Sequence, residues 1–147
     1  MNIFYKIDFI LPDRILAINT NKVKRAFKIN PLGGYEVLNF KFGKDTEVHG
    51  SCSVQWQNQH YVFGGHNQQR QVSLIIGNRL ELKGTLDYTP DSLLACTVLN
   101  QVSIVLCFGE SGKRNLCRQS KNPLEPFTKL PNCNYDHSYI RLASFGG

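Results

Sequence analysis

No stretch of the 147-residue sequence approaches the roughly 18 consecutive apolar residues that a membrane-spanning helix needs. The opening segment "MNIFYKIDFILPDRILAINT" is apolar in part, but Lys6, Asp8, Asp13 and Arg14 interrupt it. It therefore lacks the continuous apolar region and the small-residue cleavage site of an export signal. No Asn-x-Ser/Thr acceptor for N-glycosylation is present either. These absences predict no membrane association and lean towards a cytoplasmic location, with an extracellular one if the chain is part of a secreted parent. No two cysteines have the CxxC spacing of a zinc site. A Gly-x-Ser-x-Gly elbow, a phosphate-cradling glycine loop and an HExxH helix are all missing, so the common signatures of acyl transfer, nucleotide binding and zinc hydrolysis are not there. The four histidines, His49, His60, His66 and His137, are scattered, and nothing in their spacing gathers them with carboxylates. No metal, cofactor or catalytic residue is expected.

Charge lacks a focus as well. The net charge is +6, yet residues 1–73 hold nine Lys/Arg against five acids and residues 74–147 hold eight against six. The one cluster, "KVKRAFK" (Lys22 to Lys28), holds a single aromatic, Phe27, carries no RNA-binding signature and reads as a solvated surface segment, so nucleic-acid binding is not expected.

What the sequence does have is apolar residues, 41% of the total, enough for one modest domain with its own core. It also has an internal echo. "SCSVQWQNQHYVFGG" (Ser51 to Gly65) and "ACTVLNQVSIVLCFGE" (Ala95 to Glu110) share an order: small residue, Cys, hydroxyl, Val, an Asn-Gln turn, then an apolar strand ending in Phe-Gly. Cys52 and Cys96 lie 44 residues apart, and Phe63 and Phe108 lie 45 apart. A fixed period of this size is the mark of a repeat architecture. Each copy reads as a hairpin, with Cys52, Val54 and Trp56 on one face, a turn at Gln57 to Gln59, and Tyr61 and Phe63 returning. "QVSLII" and "RLELKGTL", joined by Gly77-Asn78, make a second hairpin, so the unit has four strands. "NLCRQS" and "PFTKLP" supply the matching outer pair of the second copy, and "HSYIRLAS" starts a third that stops after one strand. The terminal Phe145-Gly146-Gly147 falls out of register with the other two copies.

Four-stranded units of about 45 residues ending in aromatic-Gly-Gly resemble the kelch family, whose period is about 50. The resemblance rests on Tyr61, Phe63, Gly64 and Gly65 in "HYVFGG", on Phe108 and Gly109, and on Phe127 with Leu130-Pro131, where kelch repeats usually carry Trp and a Leu-Pro pair. Glu110 departs from the pattern by replacing the second glycine. The match covers residues 40–147 and is similar to divergent kelch-like segments of some animal multidomain proteins. It implies an all-β fold: a partial kelch-type β-propeller of about two four-stranded antiparallel blades plus edges. Residues 1–39 are expected to add edge strands ("IFYKIDFI", "RILAI") or a partial blade. Propellers close with about 4 to 8 blades, so open blade edges predict self-association.

Five cysteines leave one unpaired. Cys107 and Cys117 flank a loop between two predicted adjacent strands, where their Cα atoms can approach bonding distance. Whether they bond is left to the compartment. Cys52 and Cys96 are read as equivalent, small buried apolar side chains, and Cys133 is left in a loop. Copper oxidases resembling galactose oxidase share the kelch propeller, but their ligands come from several blades, and the resemblance here does not reach them. The expected role is a non-enzymatic module that presents Gly65 to Gln71, Leu86 to Leu93 and Gly109 to Asn115 to a protein partner. The alternative is a truncated piece of a larger secreted or cell-surface kelch-containing protein, with no function of its own.

Overall fold

A computed structural model describes residues 7–11, 14–20, 23–90, 93–107, 115–132 and 134. Every regular element among them is a strand: β1 (Ile7–Ile10), β2 (Ile15–Asn19), β3 (Arg25–Ile29), β4 (Tyr35–Leu38), β5 (Lys41–Phe42), β6 (Cys52–Trp56), β7 (Gln59–Phe63), β8 (Gln71–Ile76), β9 (Arg79–Thr85), β10 (Ala95–Leu99), β11 (Ser103–Cys107), β12 (Cys117–Ser120) and β13 (Thr128–Lys129). They form three sheets, in the orders β1-β2-β3-β4, β5-β9-β8-β7-β6 and β10-β11-β12-β13. Within each sheet consecutive strands pair antiparallel; the exception is β5, which joins the middle sheet parallel to β9.

Residues 7–38 thus make a complete four-stranded sheet instead of the edge strands or partial blade expected of residues 1–39. The basic cluster supplies β3. Arg25 and Lys28 are exposed, while Ala26 between them is fully buried.

Direct cross-strand partners share a face of a sheet, and this divides the middle sheet into two apolar surfaces. Val62, Ile75 and Leu80 face the first sheet and pack with Leu16, Ile18 and Ala26. Val54, Trp56, Tyr61, Phe63, Val72 and Leu74 face the third sheet, packing with Leu94, Cys96, Ile104, Leu106 and Phe127. Covered on both sides, β7 and β8 are buried almost throughout and their burial does not alternate, as expected of strands with a layer on each face. Fully burying one such side chain contributes about 1.5 to 3 kcal/mol, so these two interfaces supply most of what opposes the chain's conformational entropy. Outside them, Tyr35 and Val37 on the far face of the first sheet are each 63% exposed.

The β6–β7 hairpin closes through Gln57 and Asn58 alone, both with positive φ (47° and 63°); Gln59 already belongs to the strand. Positive φ at both central residues is the type I′ geometry that matches strand twist. The β10–β11 loop has the same pair at Asn100 and Gln101, plus one extra residue, Val102.

The strand register corrects the apparent repeat. In the middle sheet Cys52 opposes Phe63, which opposes Val72. In the third sheet the corresponding row is Ala95, Cys107 and Cys117. Cys52 therefore matches Ala95 and not Cys96, and Phe63 matches Cys107 and not Phe108. A shift of one residue moves a side chain to the opposite face. Truly equivalent cysteines would point the same way through the stack, whereas Cys96 points back towards Cys52.

The two are disulfide-bonded, with Cα atoms 5.8 Å apart, which replaces their reading as unbonded apolar side chains. Cys107 and Cys117, directly opposed on β11 and β12, form a second disulfide at a Cα separation of 4.1 Å. Phe108, Gly109, Cys133, the predicted strand His137 to Ser144 and the terminal Phe-Gly-Gly lie outside the described residues.

Candidate functional site

Strand direction alternates from β6 to β9 and through the other two sheets, so their connections divide between two ends. The hairpin turns 57–58 and 77–78 lie at one end. The longer connections 43–51, 64–70 and 86–94 meet at the other, where backbone hydrogen bonds tie them together: the His66 N–H donates to His49 O at 2.7 Å, and the Leu93 N–H to Gly50 O at 3.0 Å. Two of the three loops named from the sequence, Gly65 to Gln71 and Leu86 to Leu93, are thereby brought side by side. Most of the third, Gly109 to Asn115, lies outside the described residues.

Gly64 and Gly65 shape this end. Their φ values, +72° and +149°, are ones that L side chains rarely adopt. A Cβ on Gly64 would come within 2.9 Å of Leu94, and one on Gly65 within 3.2 Å of Glu47. The glycine pair thus ends β7 and lets the 43–51 loop press against its backbone.

A buried polar side chain, unnoticed in the sequence, fastens that contact. Gln71 is 3% exposed. Its Oε1 accepts the Glu47 N–H at 3.0 Å, and its Nε2 donates to Gly64 O at 2.6 Å and to Glu47 O. One carboxamide thereby satisfies three backbone groups from two loops. Gln71→Leu keeps the volume but orphans them, at a cost of roughly 1 to 3 kcal/mol per fully buried group. Gly64 O is buried and the two Glu47 groups are partly buried, so a loss of about 2 kcal/mol by urea denaturation is expected. Unchanged stability would mean that water replaces the carboxamide without cost.

The 86–94 loop is held through its base. Arg70 donates from Nε and Nη2 to Leu86 O at 2.9 and 2.7 Å, and Asp87 accepts the Phe127 N–H at 3.1 Å. Tyr88 packs on Phe127 and carries the Arg118 guanidinium 4.3 Å above its ring. Burial raises the Tyr88 hydroxyl well above its ordinary pKa, with Arg118 partly offsetting this. Phe127 also meets Phe63 edge-on at 6.0 Å, and Phe63 stacks on Tyr61 at 6.5 Å. Tyr61, Phe63 and Phe127 thus meet at one interface that supports the loop end from beneath, while Gly64 and Gly65 belong to the loop end itself.

The chain matches no family model and no curated protein.

The loop surface is polar. His66, Asn67, Gln68 and Arg70 are exposed, the Glu47 carboxylate accepts the Asn67 N–H at 3.1 Å, and the His49 and His66 rings lie 5.7 Å apart. No signal in the sequence links His49 to His66, since they sit in different connections.

His60 lies near the opposite end, 8% exposed, with its Nε2 3.1 Å from Ser53 Oγ. Burial lowers its pKa to about 4, so it is neutral in the folded protein at physiological pH. The unfolded chain takes up this proton near pH 6.5 and the folded protein only near 4. Stability is therefore full above about pH 6.5 and falls as the pH drops towards 4, by about 3 kcal/mol in total for this group. His60→Gln should flatten that portion of the stability–pH curve in denaturant titrations; an unchanged slope would show that other groups carry it.

Proposed function

We propose that the chain is a segment of a kelch-like β-propeller that acts without catalysis, presenting its 43–51, 64–70 and 86–94 connections to a protein partner. The observation that carries this reading is the face-to-face stacking of three consecutive antiparallel meanders, the middle one extended by the parallel strand β5. A propeller repeats that relation around an axis, with about 4 to 8 sheets in the ring. Loops set on a fixed sheet scaffold can vary in sequence without disturbing the core, which suits recognition. The exposed Tyr35 and Val37 face of the first sheet supports self-association as a second mode of contact.

The test is affinity capture with the full chain and with a variant whose residues 66–69 are replaced by Gly and Ser. Loss of bound protein at unchanged melting temperature supports the reading, and identical capture by both refutes it. Light scattering after size-exclusion chromatography reads out self-association.

The two disulfides favour the second reading, a part of a larger secreted or cell-surface protein, because such bonds persist in oxidising compartments. Trapping thiols with an alkylating reagent at cell lysis separates the two locations: bridged cysteines support an exported parent, and fully alkylated ones a cytosolic protein.

A further inference from the structure

The turn end, opposite the connections described above, carries a sheltered cation. Leu80, Ile75, His60 and Gln55 are successive cross-strand partners, so they form one row on the face of the middle sheet that meets the first sheet. Cover fades along that row: Leu80 is fully buried, Ile75 and His60 are 7% and 8% exposed, and Gln55 is exposed. Where the cover ends, Ile75, His60, Gln55, Asn58 of the 57–58 turn and Arg14 of the β1–β2 turn line a half-open cavity of about 240 Å³.

Arg14 is fixed at both its ends. Its backbone closes the turn with Leu11, whose N–H donates to Arg14 O at 2.8 Å. Its two Nη atoms donate to Asn78 Oδ1 and Gly77 O, and so tie the first sheet to the hairpin between β8 and β9. Both acceptors are neutral. The guanidinium has further N–H groups, and its Nε–H is buried without an acceptor. The ion pairs among the described residues, Arg79–Glu81 and Lys83–Glu81, involve other cations. A charge withdrawn from water is ordinarily paired, because neutral acceptors only partly offset its lost hydration. His60 does not change this balance, since burial lowers its pKa to about 4. Among the described lining residues, Arg14 therefore supplies the single formal charge.

We propose that this cavity binds a carboxylate through the Arg14 guanidinium. Planar N–H groups match the two oxygens of that ligand, and the neutral carboxamides of Gln55 and Asn58 offer donors that add no charge. One positive charge offsets one carboxylate, whereas a phosphate brings about −1.5 to −2 at neutral pH. The volume lies below the roughly 300 Å³ at which pockets for drug-sized ligands begin. It suits a small acid or a single acidic side chain.

The test is a nuclear magnetic resonance titration of the isotope-labelled full chain with sodium butyrate, in a carboxylate-free buffer at neutral pH and constant ionic strength. It is repeated with butyramide, the neutral analogue of the same shape, and with a capped tripeptide that has a central glutamate. Saturable shifts at the amides of Arg14, Asn58 and Gly77 with butyrate assign the site to a free small acid, and shifts with the tripeptide alone assign it to a protein side chain; either supports the proposal. Arg14→Gln should weaken binding about tenfold or more, because the lost bonds are charge-assisted. Gln55→Glu sets a carboxylate among the lining residues, where it competes for Arg14, and should weaken binding by a similar factor. Gln55 is exposed, so its replacement leaves the packing intact, and if Arg14→Gln fails to fold the Gln55 variant alone decides. No saturable shift with either acid, an equal response to butyramide, or undiminished binding in Gln55→Glu overturns the proposal. Small molecules are the probes, so the result stands apart from whether the connections at the other end bind a protein.

Discussion

Replacing Cys52 and Cys96 together by alanine is expected to lower stability by about 4 kcal/mol. The bridge closes a loop of 44 residues in the unfolded chain, and the loop-entropy relation gives about 4 kcal/mol for that length against about 3 for the 10-residue Cys107–Cys117 loop. It also spans the boundary between the middle and third sheets, joining β6 to β10, where no backbone ladder runs. Equilibrium denaturation in guanidinium of the oxidised protein and of the double variant measures the difference. The double variant is needed because a single substitution leaves a free thiol open to exchange. A loss below about 1 kcal/mol would mean that the sheets are already held close in the denatured ensemble, which the relation does not allow for.

Phe63→Ala is expected to cost as much, about 3 to 5 kcal/mol. Phe63 is fully buried where the middle and third sheets meet, opposite Cys52 and edge-on to Phe127. Truncation removes the transfer energy of the ring, and it leaves a cavity between two sheets that are bonded together and cannot close over it. Phe63→Leu, which refills part of the space, should cost less, and Tyr35→Ala on the exposed face should stay within about 0.5 kcal/mol. If Phe63→Ala resembled Tyr35→Ala, the interface would not be packed as described. Because Cys52 and Phe63 are direct neighbours, combining the two changes should fall short of their sum. Against a usual total of 5 to 15 kcal/mol, either change alone takes up a large share.

The all-β class and the middle sheet were legible from residue pattern. β8 and β9 stand where the Gly77-Asn78 turn predicts them, and "HYVFGG" ends as a strand should when its glycines take positive φ. The first sheet was harder to read. β3 carries Arg25 and Lys28, and β4 is largely exposed, so neither shows the apolar alternation by which strands are recognised. The Cys107–Cys117 pairing was suggested by the adjacent strands that flank its loop, whereas for Cys52 and Cys96 the repeat pointed away from a bond. Cys96 stands four residues before its turn at Asn100 where Cys52 stands five before Gln57, which sets the two on opposite faces, and Val102 makes up the missing residue so that a period judged by eye is undisturbed. Gln71 was invisible for another reason: a lone Gln at the start of a strand has no pattern, and its partners are backbone groups that any sequence possesses.

Layering sets an order of opening. β7 and β8 are flanked by strands on either side and roofed by a sheet above and below, so water reaches their amides only when a neighbouring layer peels away. In deuterium-exchange mass spectrometry the peptides spanning 60–63 and 72–75 should therefore be the last to gain mass, and β4, at a rim with one partner, among the first.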